Sequence, residues 1–330
     1  MKQIDTIDAL GCVLCQDITK IEKGKFKGVL FPKGHVVRAE DIEALLDVGK
    51  RHLYVWEDDE NLVHENDAAE HIYNLCKTAY VKPTEIKEGK IEAVATVDAL
   101  FTVDEEQLFR INMQDDIMMA TKKSHIGVRK GHKVMGTRII PLVIPKADLA
   151  RVDEIVADGP VFTLHPFRHK KVGMVVTGSE VYTGRIEDKF GPTLIEKLAA
   201  YDVEILGKTI VDDNEVMIAD AIRSFLDRGA DLILCSGGMS VDPDDVTPSA
   251  IRRTGAEIIS YGSPVLPGAM FLVSYYENRI PILGLPGCVM FNARTVFDVL
   301  LPCFMADYKV DKAFIARLGA GGLNVKTLME

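Results

Sequence analysis

Three short clusters in this chain combine glycine, hydroxyl and carboxylate groups. They are Thr177-Gly178-Ser179-Glu180, the run Asp212-Asp213-Asn214-Glu215, and the stretch from Ser236-Gly237-Gly238 through Ser240 to Asp242, Asp244 and Asp245. Glycines free backbone N–H groups to face an anion, and the hydroxyls of Thr177, Ser179, Ser236 and Ser240 add neutral donors. Aspartates in the same loop repel an anion unless a cation lies between them. Mg²⁺ is held by one or two carboxylates plus substrate phosphates, so the mixture suits a metal-bridged phosphate or pyrophosphate ester. On this reading Asp212, Asp213, Asp242, Asp244 and Asp245 are the carboxylates available to the metal. Each cluster also has a plainer explanation. Asp245 or Thr247 can cap a helix with Pro248 in its first turn, the run after Val211 can be a solvated cap, and Thr177–Glu180 can be a simple turn.

Several chemistries are excluded. No G-x-G-x-x-G and no G-x-x-x-x-G-K-[ST] is present, so the loop is neither a dinucleotide fingerprint nor a P-loop. All eight histidines lie at or before His169. No Ser–His–Asp relay or histidine-ligated metal can therefore be built from the second half alone, and Ser179 lies in no G-x-S-x-G elbow. Cys12 and Cys15 have C-x-x-C spacing but no second pair to complete a zinc site, and Val13 and Leu14 between them read as strand core.

The elements that must position the clusters alternate from residue 170 onward. "KVGMVVTG" reads as a buried strand, "GPTLIEKLAAYD" as an amphipathic helix and "VEILGKTIV" as the next strand. "NEVMIADAIRSFLDRG" follows as a helix capped by Asn214 and ended by Gly229, and "ADLILCSGG" as a third strand. Shorter strands "EIISYG", "FLVSYY" and "IPILGL" come next, with a last helix from about Met290 to Phe304. Strands separated by helices predict a mostly parallel sheet covered on both faces, a three-layer α/β/α domain. Ligands bind such sheets beyond the carboxyl ends of the strands, and all three clusters, with Gly284-Leu285-Pro286-Gly287, fall at that edge.

The first half predicts a β-rich α+β region. Strands are expected around the turn in "FKGVLFPKGHVV", over "HLYVWE", along "IEAVATVDALFTVD" and on both sides of the turn in "VRKGHKVMGTRIIPLVI". Helices are expected in "RAEDIEALLDVGK", over residues 65–80 and in "INMQDDIMMAT". The expected domains are 1–165, 166–306 and a tail over 307–330. With 330 residues, 47% hydrophobic composition and a net charge of -10, the chain reads as globular and lacks the basic footprint of a nucleic-acid binder. Its first residues carry no signal-peptide pattern and no stretch is long enough to span a membrane, which predicts a cytoplasmic protein.

The ordered set "TGSE", "VDDNE", "SGGMSV", "DDVTP", "LPG" and "GLPG" over residues about 170–305 resembles the molybdopterin-binding domain of molybdenum-cofactor biosynthesis proteins. Two branches of that family are similar. "SGGMSV" and the opening "DALGCVLCQDI" resemble the MoeA-type molybdopterin molybdenumtransferase, whereas "DDVTP" resembles the Mog/MoaB-type molybdopterin adenylyltransferase. The chain departs from the first in lacking an Asp-Gly-Tyr-Ala motif and a final β domain, and in carrying Cys288-Val289 where Asn-Pro is expected. The resemblance is closest to a short, divergent molybdenumtransferase. It implies insertion of molybdate into adenylated molybdopterin with release of AMP and use of Mg²⁺. It implies that Asp212 and Asp245 are the catalytic acids, that Asp212, Asp242 or Asp245 holds Mg²⁺, that Ser236, Gly237, Gly238 and Ser240 form a pterin-phosphate loop, and that Thr177, Gly178, Ser179 and Glu180 form a first-strand loop. Further contacts would come from Pro267 and Gly268 and from Leu285, Pro286 and Gly287. It also implies a homo-oligomer, with other molybdenum-cofactor enzymes or a molybdoenzyme as partners. Adenylyl transfer, non-catalytic molybdopterin carriage and nucleotide pyrophosphate hydrolysis are the rival readings.

Overall fold

The computed structural model describes residues 2–55 and 59–329. It divides into two compact units: Met1–Thr96 with Val103–Thr121 and Gly131–Thr163, and Val97–Thr102 with Lys122–Lys130 and Leu164–Glu330.

The first unit is β-rich α+β. Its main sheet is antiparallel, in the order Val81–Pro83, Lys90–Ala95, Lys133–Ile139, Ile117–Thr121. The helix Glu65–Cys76 lays Ala68, Ala69, Ile72, Tyr73 and Cys76 into the core, spaced for one helical face. The expected helix over residues 111–121 is replaced by the end of a helix, Glu105–Asn112, and the strand Ile117–Thr121. Burial there alternates, with Ile117 and Met119 inside and Met118 and Ala120 outside. That period of two belongs to a half-buried strand. The strand expected over 52–57 runs His52–Val55, and Trp56 and Glu57 lie outside the described residues. Lys146–Val156 forms a further helix, with Leu149, Val152 and Ile155 at helical spacing on its buried face.

The second unit is built on a six-stranded sheet. Its strands are β1 (Lys170–Thr177), β2 (Val203–Val211), β3 (Leu232–Ser236), β4 (Glu257–Tyr261), β5 (Leu272–Tyr276) and β6 (Ile280–Leu285), in spatial order β2-β1-β3-β6-β5-β4. β2, β1, β3 and β6 are parallel, and β5 and β4 continue the sheet antiparallel. The helices are α1 (Phe190–Leu198), α2 (Glu215–Asp227), α3 (Thr247–Arg253) and α4 (Val296–Met305). Residues of β1 and β3 are buried on both faces, as a sheet covered on both sides requires.

α2 starts where Asn214 accepts from the N–H groups of Val216 and Met217, at 3.0 and 3.1 Å. It turns Ile218, Ile222 and Phe225 inward, and each such side chain contributes about 1.5–3 kcal/mol by leaving water. Phe225 packs so closely on β1 that a Cβ at Gly173 would lie 2.5 Å from its ring. α4 begins at Val296 rather than near Met290, because Thr295 and Asp298 form a reciprocal capping box. A short turn, Gly287–Met290, precedes it.

Two differences from the expected boundaries have a common cause in burial. Ala99–Val103 pairs antiparallel with Ile126–Val128, and Leu100 is fully buried in one core with Phe297 and Leu300 of α4. Residues 307–329 do not trail away. Val310, Ile315, Val325 and Leu328 enter the same core, and Val310 N–H donates to the Tyr275 hydroxyl at 2.9 Å. These apolar side chains suffice to fold that segment onto the sheet.

Candidate functional site

The sheet order reverses between β1 and β3: the connection from β1 leads to one side, and that from β2 crosses to the other. Carboxyl-end loops diverge at such a switch point and leave a crevice. Val176 lies opposite Ser236, so the Thr177 and Gly237 loops are neighbours at that crevice.

The loop after β3 is clasped from several sides. The Thr247 hydroxyl, fully buried, donates to the Gly237 carbonyl at 2.9 Å, and Thr247 N–H donates to the Gly238 carbonyl at 3.3 Å. Gly237 has φ +91°, and a Cβ there would fall 2.2 Å from the Thr177 carbonyl oxygen. The Met239 side chain is buried against Gly284, where a Cβ would lie 2.5 Å from its terminal methyl. The Tyr261 hydroxyl from β4 reaches the carbonyls of Met239 at 2.9 Å and Ser240 at 3.0 Å. The helix-start reading of "DDVTP" is half correct. Pro248 sits in the first turn, but no side chain caps α3. Thr247 serves Gly237 instead, and the Asp245 carboxylate accepts from the N–H of Asp242 at 3.2 Å.

A cavity of about 1160 Å³ opens beside this loop. Of the residues singled out in the sequence, Thr177, Gly178, Glu180, Asp213, Gly237, Gly238, Asp242, Asp244 and Asp245 line it. The others stand elsewhere. Asp212 is not on the wall; its carboxylate accepts from Asp213 N–H at 2.9 Å and closes its own turn. Asp213 is the acid that reaches the first loop, accepting from Ser179 N–H at 2.9 Å. Burial pushes its carboxyl above the usual range, Glu180 and Asp212 add to that, and the Ser179 bond works against it. Ser179 and Ser240 are exposed. Pro267 borders a separate shallow depression with Asn292 and Lys326. Gly268 packs on Val296 at the start of α4. Leu285 is buried in the sheet, and Pro286 and Gly287 only lead to the turn beyond.

The opposite wall was missed by sequence reasoning. It consists of Ile186, Asp188, Lys189, Phe190 and Thr193, with Met290 and Phe291 across the opening. Asp188 organises it, accepting from Phe190 N–H at 2.8 Å and from the Lys208 ammonium at 2.6 Å. Phe291 is 83% exposed, a large apolar ring presented to solvent at the cavity rim. Lys197 steadies that rim by donating to Asp298 at 2.8 Å and to the Ala293 carbonyl at 2.9 Å. The one available signal was "FGPT", whose Asp-x-x-Gly approach to a helix resembles many ordinary caps.

The donor set bears on a metal and a phosphate. Among the described residues no three His, Cys, Asp or Glu side chains converge as a closed metal cage. Mg²⁺ shared with substrate phosphates needs only one or two carboxylates, which Asp242 and Asp245 provide on the wall. The Ser236 hydroxyl is fully buried at the end of β3 with no hydrogen-bond partner among the described residues. An unpartnered donor beneath a glycine loop fits a site whose hydrogen bonding is completed by an anionic ligand or water.

This geometry agrees with comparison to known families. Residues 173–306 match the family model described as "Probable molybdopterin binding domain", so the chain carries a molybdopterin-binding-type domain on the strands that build the crevice. Residues 3–57 match a domain of unknown function (DUF8806). A CinA-like protein of Mycobacterium tuberculosis (strain ATCC 25177 / H37Ra) is 37% identical over 90 residues, 27% of this chain and 21% of that protein. A CinA-like protein of Mycolicibacterium gilvum is 40% identical over 83 residues, 25% of this chain and 20% of that protein. The chain thus spans about a fifth of the length of these curated relatives. Among solved structures, the molybdopterin biosynthesis enzyme MoaB of Thermus thermophilus is 26% identical, covering 41% of this chain and 91% of its own, with a TM-score of 0.34. The tungsten cofactor synthesizing protein MoaB of Pyrococcus furiosus is 20% identical, covering 41% and 91%, also at 0.34. No helix among the described residues is long and apolar enough to cross a membrane.

Proposed function

We propose that this protein acts in molybdenum-cofactor biosynthesis, binding adenylated molybdopterin and inserting molybdate with release of AMP. One observation carries the reading: the crevice at the strand switch point brings the Gly237–Gly238 backbone and Thr177 onto the same wall as Asp242 and Asp245. The glycine N–H groups and the Thr177 hydroxyl hold the pterin phosphate. Asp242 and Asp245 hold Mg²⁺, which when bound neutralises pyrophosphate charge and polarises the P–O bond. Thr247 and Tyr261 keep the phosphate loop in place, so its donors need little reorganisation when charge develops.

A second reading, non-catalytic molybdopterin carriage, is favoured by the position of Asp212, which is tied to its own turn instead of facing the cavity. One assay separates the candidates: purified protein with adenylated molybdopterin and Mg²⁺, with and without molybdate, following AMP. Molybdate-dependent AMP release supports insertion, and release without molybdate indicates pyrophosphate hydrolysis. Tight binding without turnover indicates a carrier, and a parallel incubation with ATP and molybdopterin that yields the adenylate indicates an adenylyltransferase. Asp245→Asn is expected to cut turnover at least about a hundredfold; full turnover in that variant removes Asp245 from the mechanism.

A further inference from the structure

The first unit contains a second cavity, of about 400 Å³, that the molybdopterin reading does not use. At its base lies Glu65, the first residue of the helix Glu65–Cys76. Glu65 is only 9% exposed, and no hydrogen bond or ion pair reaches its carboxylate among the described residues. The Glu65 oxygens open onto the cavity, so the carboxylate is partly desolvated with no partner in contact among the described residues, which is unfavourable. The position at a helix start eases this only in part. Burial accordingly pushes the Glu65 carboxyl above the usual range, against the pull of Arg138.

The same cavity is lined by positive charge held in place. His64 Nδ1 accepts from the Lys33 ammonium at 3.0 Å and from Asn66 N–H at 3.2 Å. With two donors on Nδ1, the imidazole proton belongs on Nε2, which donates to the Cys15 carbonyl at 2.9 Å. Burial, aided by Lys33, holds the His64 pKa below its usual value, so the ring stays neutral and fixes Lys33 at the wall. Backbone N–H of Lys33 is in turn tied to Asp17 at 2.7 Å. Lys50 lines the cavity as well. Four of the remaining charges are occupied in two pairs, Lys87 with Glu85 at 2.9 Å and, more loosely, Arg138 with Glu88 at 3.9 Å.

What remains is two acids, Glu65 and the more exposed Asp17, with Lys33 and Lys50 lining the same small polar space. A simple anion would meet the Glu65 carboxylate, and a simple organic cation would meet the two ammonium groups. A metal ion would lack ligands, since no three ligating side chains converge among the described residues. We propose that this cavity is a binding site for a compact zwitterion of the amino-acid type, its ammonium on Glu65 and its carboxylate toward Lys33 and Lys50. Ligand sites of this kind occupy about 300–1,000 Å³, which includes this cavity.

The test uses the full chain and the standard L-amino acids as probes, each at on the order of 10 mM, read by thermal shift and calorimetry. At least one is expected to bind. Its N-acetyl derivative, lacking the ammonium, and its methyl ester, lacking the carboxylate, are each expected to bind roughly tenfold more weakly or worse. Glu65→Gln is expected to lose binding to the same degree while the unliganded variant unfolds at the same temperature or higher, because no native partner is abandoned. The proposal is overturned if no amino acid binds, if Glu65→Gln binds equally well, or if that variant is less stable without ligand. None of these outcomes depends on pterin binding by the second unit.

Discussion

Gly237 is the residue on which the phosphate loop turns. A side chain there would have to adopt φ +91° and place its Cβ 2.2 Å from the Thr177 carbonyl. Gly237→Ala is expected to lower stability by about 2–4 kcal/mol, from backbone strain and the displaced neighbour, and to abolish ligand binding. Urea midpoints and pterin titration measure the two effects. Thr247 supports the same loop by a different means. Thr247→Val keeps the shape but leaves the Gly237 carbonyl without its hydroxyl donor, an expected loss of about 1–3 kcal/mol. Thr247→Ser, which retains the hydroxyl, should recover most of that loss in the same denaturation experiment. Both Gly237 and Ser236 were legible in the sequence, because a glycine pair at a strand's end is a local signal. Asp213 was not separated from Asp212, since adjacent acids in one turn differ only in which way the backbone points them.

Elements show where pattern reading works and where it fails. The alternation of strand and helix after residue 170 was legible because β1, β3 and β6 are continuous apolar runs and α2 carries its own cap in Asn214. The strand Ile117–Thr121 was not, because "IMMAT" offers helix-forming methionine and alanine and only its partner at Lys133–Ile139 makes it a strand. The far wall of the cavity escaped for a related reason: Ile186, Phe190 and Phe291 look like ordinary helix-flanking residues until the sheet brings them together. The helix Glu65–Cys76 yields a pH prediction. His64 caps it only as a neutral acceptor, and its pKa is depressed. A depressed pKa means the stabilisation is present above the ordinary value near 6.5 and is lost as pH falls through the folded-state value. Denaturation midpoints measured between pH 8 and 5 are expected to fall toward the acid end. His64→Asn, which keeps a capping acceptor without titrating, should flatten that slope.

At the scale of the molecule, the family-matching segment is less than the folding unit. Residues 97–102 and 122–130 belong to the second unit, where Leu100 is fully buried and Gly127 packs on Pro302. A fragment of residues 164–330 is therefore expected to unfold at a markedly lower temperature than the full chain, or without cooperativity, by differential scanning calorimetry. A fragment with the full stability of its parent unit would contradict the packing. The sequence suggested a single joint near residue 165, because "HPFRHKK" is a basic, proline-containing break. It could not show that two strands well upstream return across that joint, since strand pairing at long range leaves no local mark.

The polypeptide passes between the units at 96/97, 102/103, 121/122, 130/131 and 163/164. Genetic exchange works by cutting a gene at one place and joining it to another. Any such cut between codons 97 and 163 would part strands that belong to one core. Within this chain, the region before the joint and the cavity-bearing sheet would therefore have to be exchanged as one piece for the upstream strands to keep their core.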